Sequence, residues 1–359
     1  MSRGADFSRI AATIGHASSL GATTEIIATE SPAAAEAGAP AARKLTDCHV
    51  HLVALPDAGN GCYISPKMLR SPLARFIAWQ KEYDLSNAPQ TNAKFVADLV
   101  DELGRSRHVG RAVLLAMDGV YDAQGKFDPQ GTEFIISNRY LLEVTRAHPG
   151  VFWAGVSINP QRADALEEVD RCAEGGARLV KVLPNAQQFD PGDRRYIPFY
   201  RALERRRLPL LSHVGYEFSL IGKDQSAGDP AKLRVPLDEG VTVIAAHGCS
   251  NGLVFGEKFF PTMLELARSY RKFYSDISAL TLPNRCGMLL RLRRCRELFP
   301  RLLFGTDYPL PVFSLAAWGR AGFGKLREIR RADNRFDGQY LICRQLGLGF
   351  RSVDEILPA

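Results

Sequence analysis

The sequence predicts an α/β protein, a (β/α)8 TIM barrel with an insertion after strand one and a flexible N-terminal extension. Eight short β-rich runs alternate with stretches of helical apolar spacing, the pattern of parallel strands joined by helical crossovers. The 359 residues are ample, since closed barrels often use more than ~200 residues as one domain. Polar residues also collect at the ends of the runs, where a barrel gathers them on one rim. An open doubly wound sheet is the alternative. It usually carries a Gly-rich first turn, and none is seen here.

Residues 1–43 are rich in Ala, Ser, Thr and Gly and end in "SPAAAEAGAPAAR". They read as a mobile extension ahead of a barrel domain at 44–359. No apolar core follows a basic start, so no signal peptide is expected, and Asp6, Glu25 and Glu30 argue against a transit segment. The first strand is 45–52, "LTDCHVHL". Residues 53–91 then break the rhythm with Pro, Gly and Asn, as in "PDAGNGCYISPKM". An insertion there would cover the active-site face as a lid or specificity loop.

The remaining strands are expected at 111–117, 151–158, 178–183, 208–213, 241–246, 273–277 and 302–306. The helices are expected at 92–105, 134–148, 162–175, 195–206, 229–239, 258–270 and 286–298, with a last helical region beyond Phe313. Hydrophobic residues make up 46% of the chain, enough for a full core.

The net charge of +7 is mild, and the basic residues gather in runs such as Arg205-Arg206-Arg207 and "RLRRCRE". These lie in helical stretches and read as solvated faces. No aromatic-basic stripe accompanies them, so no nucleic-acid partner is expected. No apolar run approaches the ~18 residues of a membrane span. The seven cysteines form no CxxC pair, which fits reduced thiols and a cytoplasmic location.

In "LTDCHVHL", strict alternation puts Asp47, His49 and His51 on one face and Cys48, Val50 and Leu52 on the other. His213 ends strand five, His247 follows strand six, and Asp307 ends strand eight in "FGTDYPLP". A single buried histidine is usually a hydrogen-bonded structural residue. Several polar groups converging on one rim are costly to desolvate. A divalent cation compensates, because neutral imidazoles and a carboxylate are its natural ligands.

The "DCHVH" start, His213, "AHG" and "GTDYP" resemble the amidohydrolase superfamily over roughly residues 44–346. The resemblance is to the amidohydrolase-related branch that includes aminocarboxymuconate-semialdehyde-type decarboxylases. It implies a mononuclear site with His49, His51, His213 and Asp307 as ligands and His247 as acid/base or electrostatic stabiliser. Asp47 would be a support that orients a ligand. Lys181 lies near the position of a lysine that is carbamylated in binuclear members. The branch resembled here keeps such a lysine without bridging, so its ammonium is expected to line the pocket or bind a substrate carboxylate. A second metal enters only if Lys181 is carbamylated. Relatives of this type are often dimeric, making a homodimer one expectation.

Asn159, Asn185 and Tyr216 are weaker rim candidates, able to bond substrate or simply to cap turns. Asp276 reads as a hydrogen-bonded internal acid, and Cys62 and Cys249 as ordinary buried thiols.

Zn2+ is the first expectation for the metal from the ligand types, and Mn2+ the second. A site of this kind makes hydroxide available near neutral pH to attack an amide, lactone or ester. Asp307 would accept the water proton, and His247 would pass a proton to the leaving group. The expected function is therefore a metal-dependent hydrolase of a small molecule. Non-oxidative decarboxylation of a small carboxylic acid is the alternative, and a catalytically silent metal-binding barrel a further one.

Overall fold

The computed structural model describes residues 44–70, 75, 81–217, 220, 224–253, 256–317 and 323–358. The expected extension at 1–43 and much of 71–80 lie outside the described residues.

All eight expected barrel strands are present: β1 (Leu45–His51), β2 (Val109–Leu115), β3 (Phe152–Ser157), β4 (Ala177–Val182), β5 (Leu210–Ser212), β6 (Val243–Ala245), β7 (Phe273–Asp276) and β8 (Leu302–Leu303). They pair in sequence order, every pair parallel. The chain beyond β8 completes the ring against β1. Cys48 N–H donates to Phe304 O (3.0 Å), Asp307 N–H to His49 O (2.9 Å) and His51 N–H to Tyr308 O (2.8 Å). A Cβ at Gly305 would lie 3.2 Å from the His49 Cβ, so the glycine permits this close approach.

Strand alternation splits the apolar residues into two layers. Val50, Leu114, Val180, Leu210, Val243 and Phe273 face outward into the layer shared with the helices. Cys48, Val113, Leu115, Leu179, Leu211, Ile244 and Leu303 fill the barrel interior. Val353 joins this interior layer, and Arg351 N–H donates to Leu302 O (2.8 Å) beside it.

The helices follow local signals. In α1 (Ala88–Arg105), Asn87 caps Gln90 N–H and Pro89 opens the first turn, while Phe95, Leu99 and Leu103 recur at helical spacing on the buried face. Ser137 caps α2 (Asn138–Ala147) through Tyr140 N–H. Glu167 and Glu168 sit in the first turn of α3 (Ala165–Glu174), where the helix dipole favours acids. Next come α4 (Ile197–Arg205), α5 (Arg234–Asp238), α6 (Phe260–Ser269), α7 (Cys286–Leu292), α8 (Phe323–Arg331) and α9 (Arg335–Gln345).

The rim differs from the sequence reading in one respect. The insertion after β1 pairs Tyr63–Ile64 antiparallel with Phe134–Ile135. Those partners belong to a second long loop, after β2, which also carries a hairpin of Val120–Tyr121 with Phe127–Asp128. The helix expected from 134 therefore starts at Asn138. Two-residue strands give no periodic signal in sequence.

Candidate metal centre

The pairing register of β1 on β2 shifts between Asp47 and Val50. Such a bulge breaks strict alternation and corrects the expected faces. Cys48 packs in the barrel interior rather than toward the helices. His49 also reaches inward, to β4 and β7. Its Nδ1 donates to Asp276 Oδ2 (2.8 Å), and its Nε2 accepts from Lys181 Nζ (3.2 Å).

Asp307 stands opposite. Its Oδ1 is 3.1 Å from His51 Nε2 and 3.4 Å from His49 Nε2. Among the described residues, His49, His51 and Asp307 form one group whose donor atoms lie within 4.8 Å of one another. His49, His247 and Asp276 form the other. His213 is in neither. Its Nδ1 is 3.1 Å from His247 Nε2, while its own Nε2 is buried without a hydrogen-bond partner.

Backbone strain concentrates here. His247 (φ 58) and Asp307 (φ 68) hold left-handed conformations, at a cost of order 1–3 kcal/mol each. The His247 turn is held by Asp276, whose Oδ1 accepts His247 N–H at 2.9 Å.

Burial, then the Lys181 charge, pushes His49 below the ordinary imidazole value. Burial, then the Arg285 guanidinium, pushes His213 and His247 well below it. All three are therefore neutral, as cation ligands or a base must be. Burial alone would raise Asp307, but its contacts with His49 and the His51 hydrogen bond (3.1 Å) hold it well below the carboxylate range. Burial brings Lys181 down to about 8 against the pull of Asp276 and Asp307.

The other expected residues are placed differently. Asp47 is fully buried and stitches β1 to the β8 end. It accepts from His49 N–H (2.8 Å), Thr306 N–H (3.2 Å) and Thr306 Oγ1–H (2.6 Å). Burial raises its carboxyl to about 7. Asn185 Nδ2 bonds Gln225 Oε1 (3.2 Å) and Gly215 O (3.4 Å), tying two rim loops together, and its Oδ1 is buried without a partner. The Tyr216 hydroxyl accepts from Lys258 Nζ (2.6 Å) in an exposed contact. Asn159 donates to Gly119 O and Gln187 O (both 2.9 Å), which holds loops rather than open space.

Sequence reasoning passed over two residues. Ser278 bridges His247 and Asp276, and nothing in "SDIS" marks it beyond an acid two residues earlier. Arg285 is buried and donates Nη1 to Ser250 O (3.0 Å), with no ion-paired carboxylate among the described residues. It lies in the turn just ahead of α7 and gives no local sign of burial.

Residues 46–323 match the amidohydrolase family. The chain belongs to the amidohydrolase family. The resemblance carried by "DCHVH", "AHG" and "GTDYP" holds, and the protein is an enzyme of the hydrolase or carboxy-lyase type. No curated protein matches the sequence. A TIM-barrel protein from Bordetella bronchiseptica aligns at TM-score 0.53 and 18% identity, over 85% of this chain and 100% of that one. A candidate 2-pyrone-4,6-dicarboxylic acid hydrolase from Pseudomonas putida aligns at TM-score 0.51 and 18% identity, over 87% and 97%. At that identity both similarities concern the fold. For this amidohydrolase, no helix among the described residues is long and apolar enough to cross a membrane.

Proposed function

We propose that this amidohydrolase is a metal-dependent hydrolase of a small lactone, ester or amide, with one divalent cation on His49, His51, His213 and Asp307. One observation carries the reading. His49 Nε2 and Asp307 Oδ1 are both acceptors and face each other at 3.4 Å. The Nε2 of His213 is buried with no hydrogen-bond partner, 3.8 Å from Glu217 Oε2. Lys181 Nζ meets the His49 lone pair at 3.2 Å, and a divalent cation among these converging buried acceptors would stabilise them further.

A divalent ion bound there lowers the pKa of a water toward ~7 and polarises a substrate oxygen. Zn2+ fits the ligand types first and Mn2+ second. The protein supplies the rest. Asp276 orients His49, and His247 carries a proton at Nε2 on the way to the leaving group. Asp307 takes a proton from the attacking water. Lys181 holds a carboxylate of the substrate as an ammonium, and a second metal requires its carbamylation.

The buried cations Lys181 and Arg285 favour a second reading. Neither is ion-paired with a carboxylate among the described residues, and such groups suit an anionic substrate. The same site would then decarboxylate a small carboxylic acid, with His247 delivering a proton to carbon.

The test loads the protein with Zn2+ or Mn2+ and offers a panel of small aromatic and unsaturated carboxylic acids and their lactones and amides. Incorporation of 18O from labelled water supports hydrolysis. Release of carbon dioxide without it replaces that reading with decarboxylation. No bound metal, and no turnover on adding it, overturns both.

A further inference from the structure

One carboxylate lies behind three imidazoles. Asp276 Oδ1 accepts from Ser278 Oγ–H (2.5 Å), Ser278 N–H (3.0 Å) and His247 N–H (2.9 Å). Its Oδ2 takes His49 Nδ1–H (2.8 Å). Four donors on a fully buried carboxylate leave it nothing to donate, so the group is anionic and each partner must supply the hydrogen.

This fixes the proton positions outward. The only hydroxyl hydrogen of Ser278 is committed to Asp276, the strongest acceptor in reach. Ser278 Oγ can then only accept, from His247 Nδ1 at 2.8 Å and more distantly from His49 Nδ1 at 3.1 Å. The Ser278 carbonyl, 3.4 Å from the same nitrogen, is also an acceptor. Both neighbours therefore demand hydrogen on Nδ1 of His247, which leaves a lone pair on its Nε2. That lone pair faces His213 Nδ1 at 3.1 Å, so His213 must donate from Nδ1. His213 Nε2 is then a bare lone pair; it makes no hydrogen bond, and Glu217 Oε2 stands 3.8 Å away. His49 follows the same rule, since its Nδ1–H meets Asp276 and its Nε2 accepts from the Lys181 ammonium.

We propose that Ser278 is a positioning residue that transmits the Asp276 charge to His247 and His213 and locks both as Nδ1–H tautomers. A neutral imidazole can carry its hydrogen on either nitrogen, and without the hydroxyl only the longer contacts of His247 Nδ1 with Ser278 O (3.4 Å) and Asp307 Oδ2 (3.9 Å) favour Nδ1–H, so the preference of both rings weakens. With it, His247 keeps a lone pair on Nε2 and His213 offers Nε2. Asp276 locks His49 directly, since its Oδ2 stands 2.8 Å from His49 Nδ1, closer than Ser278 Oγ at 3.1 Å. The assignment holds in metal-free protein and is independent of the proposed reaction.

The experiment is imidazole 15N–1H NMR on metal-free, 15N-histidine-labelled full-length protein. In the wild type, His49, His213 and His247 should each be protonated at Nδ1 and bare at Nε2. Ser278→Ala should give His247 and His213 a mixed population, with at least a tenth at Nε2–H, while His49 stays unchanged. Ser278→Thr, which restores a hydroxyl, should return both to Nδ1–H. Asp276→Asn should do the reverse at β1. Its amide can face His49 only as a donor if its oxygen keeps the other three bonds, so His49 should shift to Nε2–H and Zn2+ affinity, read by competition with a chromophoric chelator, should fall at least tenfold. A wild-type His247 protonated at Nε2, or a Ser278→Ala spectrum identical to wild type, overturns the proposal. If Ser278→Ala does not fold, the wild-type assignment still decides it, since a His213 protonated at Nε2 also overturns the proposal.

Discussion

Lys181 Nζ lies 3.2 Å from His49 Nε2, from opposite sides of the barrel mouth and 132 positions apart in sequence. The ammonium meets the lone pair that the proposed cation would use. With Lys181 at about 8, a positive charge stands beside the metal centre at neutral pH.

Lys181→Met is expected to bind Zn2+ as tightly as wild type or more tightly, because that neighbouring charge is gone. The KM for a carboxylate-bearing substrate should rise roughly 10- to 100-fold, the effect of losing a charge-assisted hydrogen bond of about 1.5–3 kcal/mol, with a smaller change in kcat. Isothermal titration and steady-state kinetics read the two effects. Loss of metal from the variant would instead mark Lys181 as a ligand through its carbamate.

Metal analysis should find about one equivalent of divalent ion per chain. His49→Ala and Asp307→Asn should each lower affinity by more than about 100-fold, beyond the roughly 10–100-fold typical of losing only a group that orients a ligand. Retention of full metal content by His49→Ala would move the site away from β1.

The metal-free protein should lose stability as pH falls below 6.5, the ordinary value from which His49, His213 and His247 are all lowered. The unfolded chain takes up protons there that the buried rings refuse. The stabilisation is complete above the unfolded value and is lost as pH falls through each folded value. The limiting slope is about 1.4 kcal/mol per pH unit for each ring, and Asp47, raised to about 7, opposes it with about one ring's share. Urea titrations from pH 7.5 to 5.0 read it, and His213→Gln should reduce the slope by one ring's share. An unchanged slope would mean that His213 protonates in the folded state.

Thr306→Val removes the 2.6 Å hydrogen bond to Asp47 Oδ2 while keeping side-chain volume. Asp47 is fully buried, so the loss should destabilise the protein by about 1.5–3 kcal/mol. Its midpoint in urea should fall with an unchanged m-value. A shift under about 0.5 kcal/mol, the range of neutral surface changes, would remove Asp47 from its role in joining β1 to the β8 end.

Much of the architecture was legible because it is local. Apolar runs spaced by helices gave all eight strands, since burial on both faces leaves an unmistakable signature. Asn87, Ser137 and the early acids of α3 mark helix starts through interactions within one turn. The pairing of Tyr63 with Ile135 and Ile64 with Phe134 was not legible, because it joins two separate loops through backbone groups that any side chain permits.

The sequence by itself determined which groups reach the barrel rim: His49 and His51 from the first strand, His213 and His247 from the middle, Asp307 from the last. Tertiary structure alone decided how they meet. The bulge in β1 turned both Cys48 and His49 inward, which strict alternation forbids, because register is set by the neighbouring strand and not by the strand's own residues. Closure of β8 on β1 brought Asp307 to His49 and His51. Asp276, unremarkable in its strand, became the anion behind three histidines because β7 stands between the strands that carry them, and an ionised group buried there binds every donor within reach.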